Sequence, residues 1–263
     1  MIEASVVSKL TKDVRQSVTG ITLDEARYLV SAYYVMQDYR IRSAAQEREL
    51  SKAEKPNEAI AWLEAQNESL EHAVKRLLDA WTDSQPMGQW AKAITGIGPV
   101  LSAGLLAHID ITKAPTAGHI WRFAGLDPTT TWDKGQKRPW NAELKVLCFK
   151  LGESFVKVQR LEHDVYGKLY AQRKQQEQAK NEAGDFAEQA KQQLAAKKFR
   201  ADTIARGCYE RGQLPPAHIH ARARRYAVKI FLSHWHEEAY RQHYGTEPPA
   251  PYPIAILGHA HRI

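Results

Sequence analysis

Cysteine is scarce in this sequence, and its scarcity excludes several kinds of site. The 263 residues include only two cysteines, Cys148 and Cys208. They lack metal-ligand spacing, which argues against a cysteine-bound zinc ion. Both fall within helical patterns, so we expect reduced, partly buried thiols. We predict no cofactor.

Long apolar segments are also missing. No apolar run approaches the length of a membrane span. The N-terminal residues MIEASVVSKLTKDV lack the basic region, apolar stretch and cleavage site of a signal peptide. Hydrophobic residues still make up 43% of the chain, which is enough to build a core. We therefore expect a globular, cytoplasmic protein without membrane contact.

Negative charge is in deficit. The chain has 30 acidic residues against 37 lysines and arginines, a formal net charge of +7. Such a balance favours an anionic partner, with nucleic acid as the leading candidate. From Lys197 to Lys229, nine basic residues face only Asp202 and Glu210. This stretch predicts a surface for a phosphate backbone, although a merely solvated face would have the same composition.

Metal-binding patterns are absent despite the many late histidines. Imidazoles two residues apart point in different directions on a helix, so these pairs cannot share an ion without another ligand. The chain also has no HExxH sequence. We predict no metal site. The histidines considered are His218, His220, His234, His236, His243, His259 and His261.

The N-terminal third has the pattern of two long helices. After a weakly ordered start over residues 1–21, Thr22 and Glu25 form a capping box that begins a helix ending near Lys52. A second helix follows Pro56, with Asn67 at an a-type position of a coiled-coil seam. The two helices can form a hairpin or pair with a second subunit, and we expect a homo-oligomer, most simply a dimer. The seam residues are Ile60, Leu63, Asn67, Leu70, Val74, Leu77 and Trp81.

The stretch WAKAITGIGPVLSAGLLAHI, residues 90–109, is typical of a helix-hairpin-helix. Two glycines flank Ile97, where they permit backbone angles and close approach that a side chain would forbid. Pro99 opens the second helix, whose first-turn amides can hold an anionic oxygen. Small residues, Ala103, Gly104 and Ala107, would let the two helices approach closely. An ordinary helix connection is the alternative. The predicted DNA-backbone contacts are Gly96, Ile97, Gly98 and Val100.

A basic, tryptophan-containing loop follows. Thr116 is placed to cap a short helix that ends at Gly125, and the sequence LDPTTTWDKGQKRPW leads on from it. Cations beside planar rings suit a strand that offers phosphates and bases. Alternatively, the two tryptophans anchor the loop in the core. The predicted DNA contacts are Trp132, Lys134, Lys137, Arg138 and Trp140.

The remaining chain predicts further helices. Asn141 caps one that runs to about residue 160, and residues 163–199 form a long exposed helix broken near Gly184. A last helix begins after Leu214-Pro215-Pro216, and the proline-rich tail lies extended along the body. The fold is therefore predicted to be all-α, with a coiled-coil pair at 1–84, a DNA-binding module at 85–160 and basic helices at 161–263. The DNA contacts predicted on the last helix are Arg222, Arg224 and Arg225.

Two stretches, ITGIGPVLSAGLLAHI and WRFAGLDP, are followed by a basic loop and a helix. This order resembles the C-terminal domain of the insertion-sequence one-ten transposases, which are guided by a bridge RNA. The resemblance covers roughly residues 85–160. It implies an all-helical DNA-engaging module preceded by a coiled coil. Two departures affect the expected chemistry. The sequence before Thr22 cannot encode the family's acidic nuclease-like domain, and Asp133 stands where the family has a nucleophilic serine.

We therefore expect a DNA-binding relative of a transposase, with no catalytic residue of its own. One alternative is a recombination enzyme whose acidic residues come from another chain. Another is an RNA-binding or assembly protein built on the same scaffold. Thr129, Thr130 and Thr131 offer hydroxyls near the expected serine position, but spacing assigns them no activating partner.

Overall fold

The computed structural model describes residues 9–200 and 202–249, and all its regular elements are helical. The predicted all-α class is confirmed. The chain divides into two compact units between Thr112 and Lys113. In these residues no helix is both long and apolar enough to cross a membrane. The α-helices are α1 (Lys12–Ser17), α2 (Leu23–Lys52), α3 (Glu58–Asp83), α4 (Pro86–Lys92), α5 (Pro99–His108), α6 (Ala117–Phe123), α7 (Ala142–Val158), α8 (Tyr166–Glu182), α9 (Ala187–Ala196), α10 (Ile204–Glu210) and α11 (Pro216–Tyr244). Short 3-10 helices span Val18–Gly20 and Ile111–Lys113.

The start of the first unit is more regular than its sequence predicts. Residues from Lys12 form α1, whose N-cap Thr11 accepts a hydrogen bond from the Val14 amide. The 3-10 helix that follows buries Val18 against α2, α3 and α5. The prediction of weak order up to residue 21 is therefore wrong from Lys12 onward, because one apolar anchor holds this segment on the unit.

Helices α2 and α3 fold back on each other within one chain. The capping box predicted at Thr22 is present, since the Thr22 amide donates to Glu25 Oε2 at 2.7 Å. Leu78 and Trp81 of α3 are buried against Ala26 and Val30 of α2. This packing selects the hairpin from the two arrangements that the sequence left open, although a further subunit contact stays a prediction.

The middle of the α2/α3 contact is polar. The amide of Asn67 is buried, as predicted, and donates to Ser43 Oγ at 3.3 Å. Buried Glu71 accepts from Arg40 Nε at 2.5 Å. Leu63, in contrast, is 46% exposed. The contact along the predicted seam is therefore apolar near Trp81 and polar in the middle, and Leu63 of the first heptad is exposed, so a coiled coil stays a prediction.

Helices α4 and α5 are fixed against the hairpin of long helices by close backbone approach. A Cβ on Gly88 would lie 2.2 Å from the Thr82 carbonyl oxygen, so only glycine fits there. The Ser102 hydroxyl donates to the Gly88 carbonyl at 3.2 Å and joins α5 to α4. Ala103 and Ala107 pack with residues of α2 and α3. The small residues of α5 thus serve a three-helix contact, which corrects the expectation that they mainly join α4 to α5.

The second unit is built around α11. Phe155 of α7 and Tyr166 of α8 stack at 4.8 Å, and both contact Phe231 of α11. Truncation of a buried aromatic residue of this kind costs about 3–5 kcal/mol. Trp121 of α6 donates its indole N–H to the Lys229 carbonyl at 3.0 Å. These contacts place α6, α7 and α8 around the basic last helix.

The segment between residues 163 and 199 is only partly exposed. It breaks at Gly184, as predicted, where φ is +87°. Its first part, α8, buries Tyr166, Tyr170 and Glu177. Its second part contributes Phe186 to a separate cluster with residues of α10 and α11. The expectation of an exposed helical arm is therefore wrong, because alanine and glutamine predominate only on the solvent-facing side. The predicted extended tail lies largely outside the described residues.

Candidate nucleic-acid interface

The turn between α4 and α5 is compact. Gly96 has φ +93°, a conformation that strongly favours glycine. Ile97 is buried, and its amide donates to the Ile94 carbonyl at 3.0 Å. Gly98 is different, because its φ is −97° and a Cβ there would meet nothing within 4 Å. The predicted need for backbone angles that only glycine adopts easily therefore holds for Gly96 and is wrong for Gly98.

The first turn of α5 presents backbone donors. Pro99 begins the helix, as predicted, and the Ser102 amide donates to the Gly98 carbonyl. The Val100 amide has no backbone acceptor in residues 9–200 and 202–249. Such an amide at a positive helix end suits an anionic oxygen. Of the four contacts predicted here, Ile97 is the least available, since its amide and side chain both serve the turn.

The charged side chains near the α4/α5 turn do not by themselves favour an anion at this turn. Lys92, at the end of α4, pairs with Asp79 at 2.6 Å and with Asp83 at 2.5 Å. Residues 1–112 carry 12 basic and 15 acidic residues, a formal charge of −3, whereas residues 113–263 carry 25 and 15, a charge of +10. The positive charge of the chain is therefore concentrated in the second unit.

In that unit, α6 ends in a turn that starts the basic loop. Gly125 has φ +65°, and the Leu126 amide donates to the Trp121 carbonyl at 2.8 Å, which is the bond pattern of a Schellman motif. A Cβ on Gly125 would lie 2.9 Å from the Trp140 ring. Thr116 occupies the N-cap position of α6, but its hydroxyl contacts His119 instead of a backbone amide.

Asp127 organises the beginning of the loop. Its Oδ1 accepts from the Thr129 amide at 2.9 Å and from the Thr129 hydroxyl at 2.7 Å. These two hydrogen bonds lower the pKa of Asp127. The carboxylate is therefore stabilised as an anion and is a weak base toward the threonine hydroxyl.

The two tryptophans of the loop form a layered cluster with cations. Their rings meet edge to face with centroids 6.3 Å apart. The Arg138 guanidinium lies 5.4 Å from the Trp132 ring centroid, and Lys145 Nζ lies 4.0 Å from that of Trp140. Trp132 is 37% exposed, so the alternative that both rings anchor the loop in the core fails for this one.

Three cations from separate segments lie near one another without a carboxylate partner in the described residues: Arg138 of the loop, Lys145 of α7 and Arg225 of α11. Partial burial and then the charges of Arg138 and Arg225 lower the pKa of Lys145. Lys145 and Arg225 line the same open groove, whose volume is about 620 Å³. Lys134 and Lys137, which precede Arg138 in the loop, are exposed and also have no ion pair in the described residues.

The other two predicted arginines of α11 have partners inside the unit. Arg222 Nε donates to Glu177 at 2.5 Å, and its guanidinium lies over the Phe186 ring. Arg224 pairs with Glu153 and lies over the Phe149 ring, with its guanidinium carbon 4.0 Å from the ring centroid. These contacts give both residues a structural role and leave Arg225 as the available cation of the three.

Lys145 and Phe149 were not among the residues predicted for the site. Lys145 has the sequence context of an ordinary solvated helix lysine, and only the loop folding over α7 brings Arg138 to it. Phe149 is 54% exposed and lines the groove. The sequence feature that could have indicated this surface is the pair Val146 and Phe149, because these two apolar residues stand three apart on a helix whose core face was already complete.

His234, His236 and both cysteines are held in internal contacts of the protein. His234 is hydrogen-bonded to the Tyr166 hydroxyl at 2.7 Å, and buried His236 to the Ala114 carbonyl at 2.8 Å. In the part of the chain that the structure describes, no group of three metal-ligating side chains is placed to hold an ion. Both cysteines are free and buried, and burial raises the pKa of Cys148 to about 12. His259 and His261 lie outside the described residues.

These features define an all-helical protein with a basic loop surface rich in tryptophan. Residues 89–132 match the family model described as Transposase IS116/IS110/IS902 family. The matched segment begins in α4 and ends at Trp132. The predicted resemblance to the insertion-sequence one-ten transposases is confirmed for this segment, and it supports a transposase-related role. The comparisons with curated proteins and with solved structures gave no match.

Proposed function

We propose that this chain is a DNA-binding protein related to transposases, which holds the DNA backbone through the basic loop, α7 and α11. The observation that carries the proposal is the convergence of Arg138, Lys145 and Arg225 without a carboxylate partner in the described residues. Like charges brought together in a fold are stabilised when an anion binds between them. A phosphate backbone supplies such anions at regular spacing.

The loop adds two further elements to this surface. Lys134 and Lys137 extend the positive charge along the chain, and exposed Trp132 offers a ring beside Arg138. Contacts of this kind fix the position of a protein on DNA and carry little sequence information. We therefore expect binding that depends weakly on base sequence.

The α4/α5 turn is proposed as a second, weaker contact. Its donors are backbone amides at the start of α5, including those of Gly98 and Val100. Because Lys92 is paired with two aspartates, this contact depends on amides and the helix dipole. Replacing residues of the turn should weaken binding less than replacing the three cations.

The test is the salt dependence of affinity, measured by fluorescence anisotropy with a labelled duplex DNA and with a structured RNA of equal length. We expect the logarithm of the duplex affinity to fall linearly with the logarithm of salt concentration, by about 0.9 per phosphate contacted. Undetectable duplex binding at low salt, or binding insensitive to salt, contradicts the proposal. Clear preference for RNA favours the RNA-binding alternative.

We further propose that the chain alone does not cleave or join DNA. Phosphoryl transfer needs a positioned nucleophile and charge stabilisation. The Thr129 hydroxyl donates to Asp127, whose lowered pKa makes it a weak base. Asp133 forms no ion pair with Lys134 or Arg138 in the described residues, and its backbone carbonyl accepts a hydrogen bond from the Gln136 amide at 3.1 Å.

A covalent adduct assay tests this second part. The purified chain is incubated with DNA and divalent metal ions, denatured, and mapped by mass spectrometry. We expect no adduct, either for the natural sequence or for Asp133→Ser. An adduct on Thr129, Thr130 or Thr131 would support the recombination-enzyme alternative and refute the proposal of an inactive chain.

A further inference from the structure

The groove of the second unit combines cations with exposed apolar side chains, which a surface for phosphates alone does not need. Val146 and Phe149, three residues apart on α7, are 55% and 54% exposed and line the groove. Leu126 and Pro128 of the loop line it as well. Its volume of about 620 Å³ lies within the range of small-ligand sites and exceeds what one phosphate group requires.

Charge and apolar surface are arranged on different segments around this groove. Lys145 and Arg225 supply cations without carboxylate partners in the described residues. Arg224 covers part of the Phe149 ring and is itself paired with Glu153, so this cation holds the ring in place. The lining acid, Asp127, is occupied by the amide and hydroxyl of Thr129.

We propose that this groove binds a single unpaired nucleotide of the DNA, with its phosphate at Lys145 and Arg225 and its base against Phe149 and Val146. The proposal rests on the proposed function, and it adds that the ligand is an unstacked nucleotide at a strand end or extension. Bases stack on aromatic side chains with little sequence preference, because every base presents a π face. A fully paired duplex cannot offer a base to the groove without unstacking it.

The experiment compares a labelled blunt duplex with the same duplex carrying a short single-stranded extension, at one salt concentration. We expect the chain to bind the extended duplex about tenfold more tightly, the order of one stacked base. Phe149→Ala should reduce this ratio to about one. Phe123→Ala, which removes a ring 43% exposed outside the groove, is the matched control and should keep the ratio.

Two further measurements protect the test against a folding defect. Phe149→Trp keeps a ring at this position and should keep the ratio. A 2-aminopurine in the extension should lose fluorescence on binding to the natural sequence and keep it with Phe149→Ala. Equal affinity of the natural sequence for both duplexes overturns the nucleotide groove and leaves DNA binding intact. Failure to bind either duplex overturns the proposed function and this inference together.

Discussion

Replacing Glu177 by alanine tests whether its partner Arg222 has the structural role assigned to it rather than a DNA-binding one. The Glu177 side chain is 1% exposed and accepts from Arg222 at 2.5 Å and from Arg173 at 2.6 Å. Removing one partner of a buried ion pair costs about 3–5 kcal/mol. Both arginines keep about 30% of their side-chain surface in water. The free energy of unfolding should therefore fall by an amount near the lower end of this range, about 3 kcal/mol.

For a unit of this size, about 3 kcal/mol lowers the unfolding midpoint by roughly 6–12 °C. Circular dichroism during heating measures the shift, and anisotropy with duplex DNA at 25 °C measures binding. The control is Glu188→Ala, which removes an exposed carboxylate from α9 and makes the same change in net charge. A midpoint shift no larger than that of the control would refute the structural role assigned to Arg222.

Three other changes follow from the structure. Gly96→Ala should lower the unfolding free energy by about 1–2 kcal/mol because Gly96 has a positive φ. Gly98→Ala should change the unfolding free energy by less than about 0.5 kcal/mol, and denaturant titration of the two variants measures the difference. Burial lowers the pKa of His236 below its usual 6.5. As pH drops below about 6.5, the unfolded chain therefore binds a proton before the folded chain does, and the stability should fall. His236→Gln should flatten this decline of the unfolding midpoint with pH, and an unchanged slope of midpoint against pH would contradict this assignment. Asn67→Leu should raise the unfolding midpoint and broaden the choice of oligomer seen by light scattering, and a strictly monomeric natural protein would refute the predicted dimer.

Local signals in the sequence determined much of the fold. The hydroxyl and carboxylate at Thr22 and Glu25 form their capping box, Asn141 accepts the Leu144 amide at 2.8 Å, and Pro99 opens α5. Each of these features depends on residues within one helical turn. Gly184 breaks its helix for the same local reason, since it adopts a positive φ.

The candidate site depends on contacts that sequence spacing does not encode. Arg222 and Arg225 look alike in sequence, but Glu177, on another helix, forms an ion pair with Arg222 and not with Arg225. The groove needs the loop, α7 and α11 together, so neither Lys145 nor Phe149 is distinguished by its own neighbours in the chain. The division into units at Thr112 also separates the α4/α5 turn from the basic loop, although the sequence resemblance places both in one segment.

The sharpest test of the proposed DNA-binding surface is the salt dependence of a triple variant. Arg138, Lys145 and Arg225 are replaced together by glutamine, and the control replaces Lys180, Lys191 and Arg206, with the same change in net charge. We expect the first variant to reduce the slope of log affinity against log salt by about 2.7, or about 0.9 for each phosphate that the protein no longer neutralises. The control variant should leave the slope near that of the natural sequence. Equal slopes in the two variants would contradict the assignment of the DNA-binding surface to these three cations.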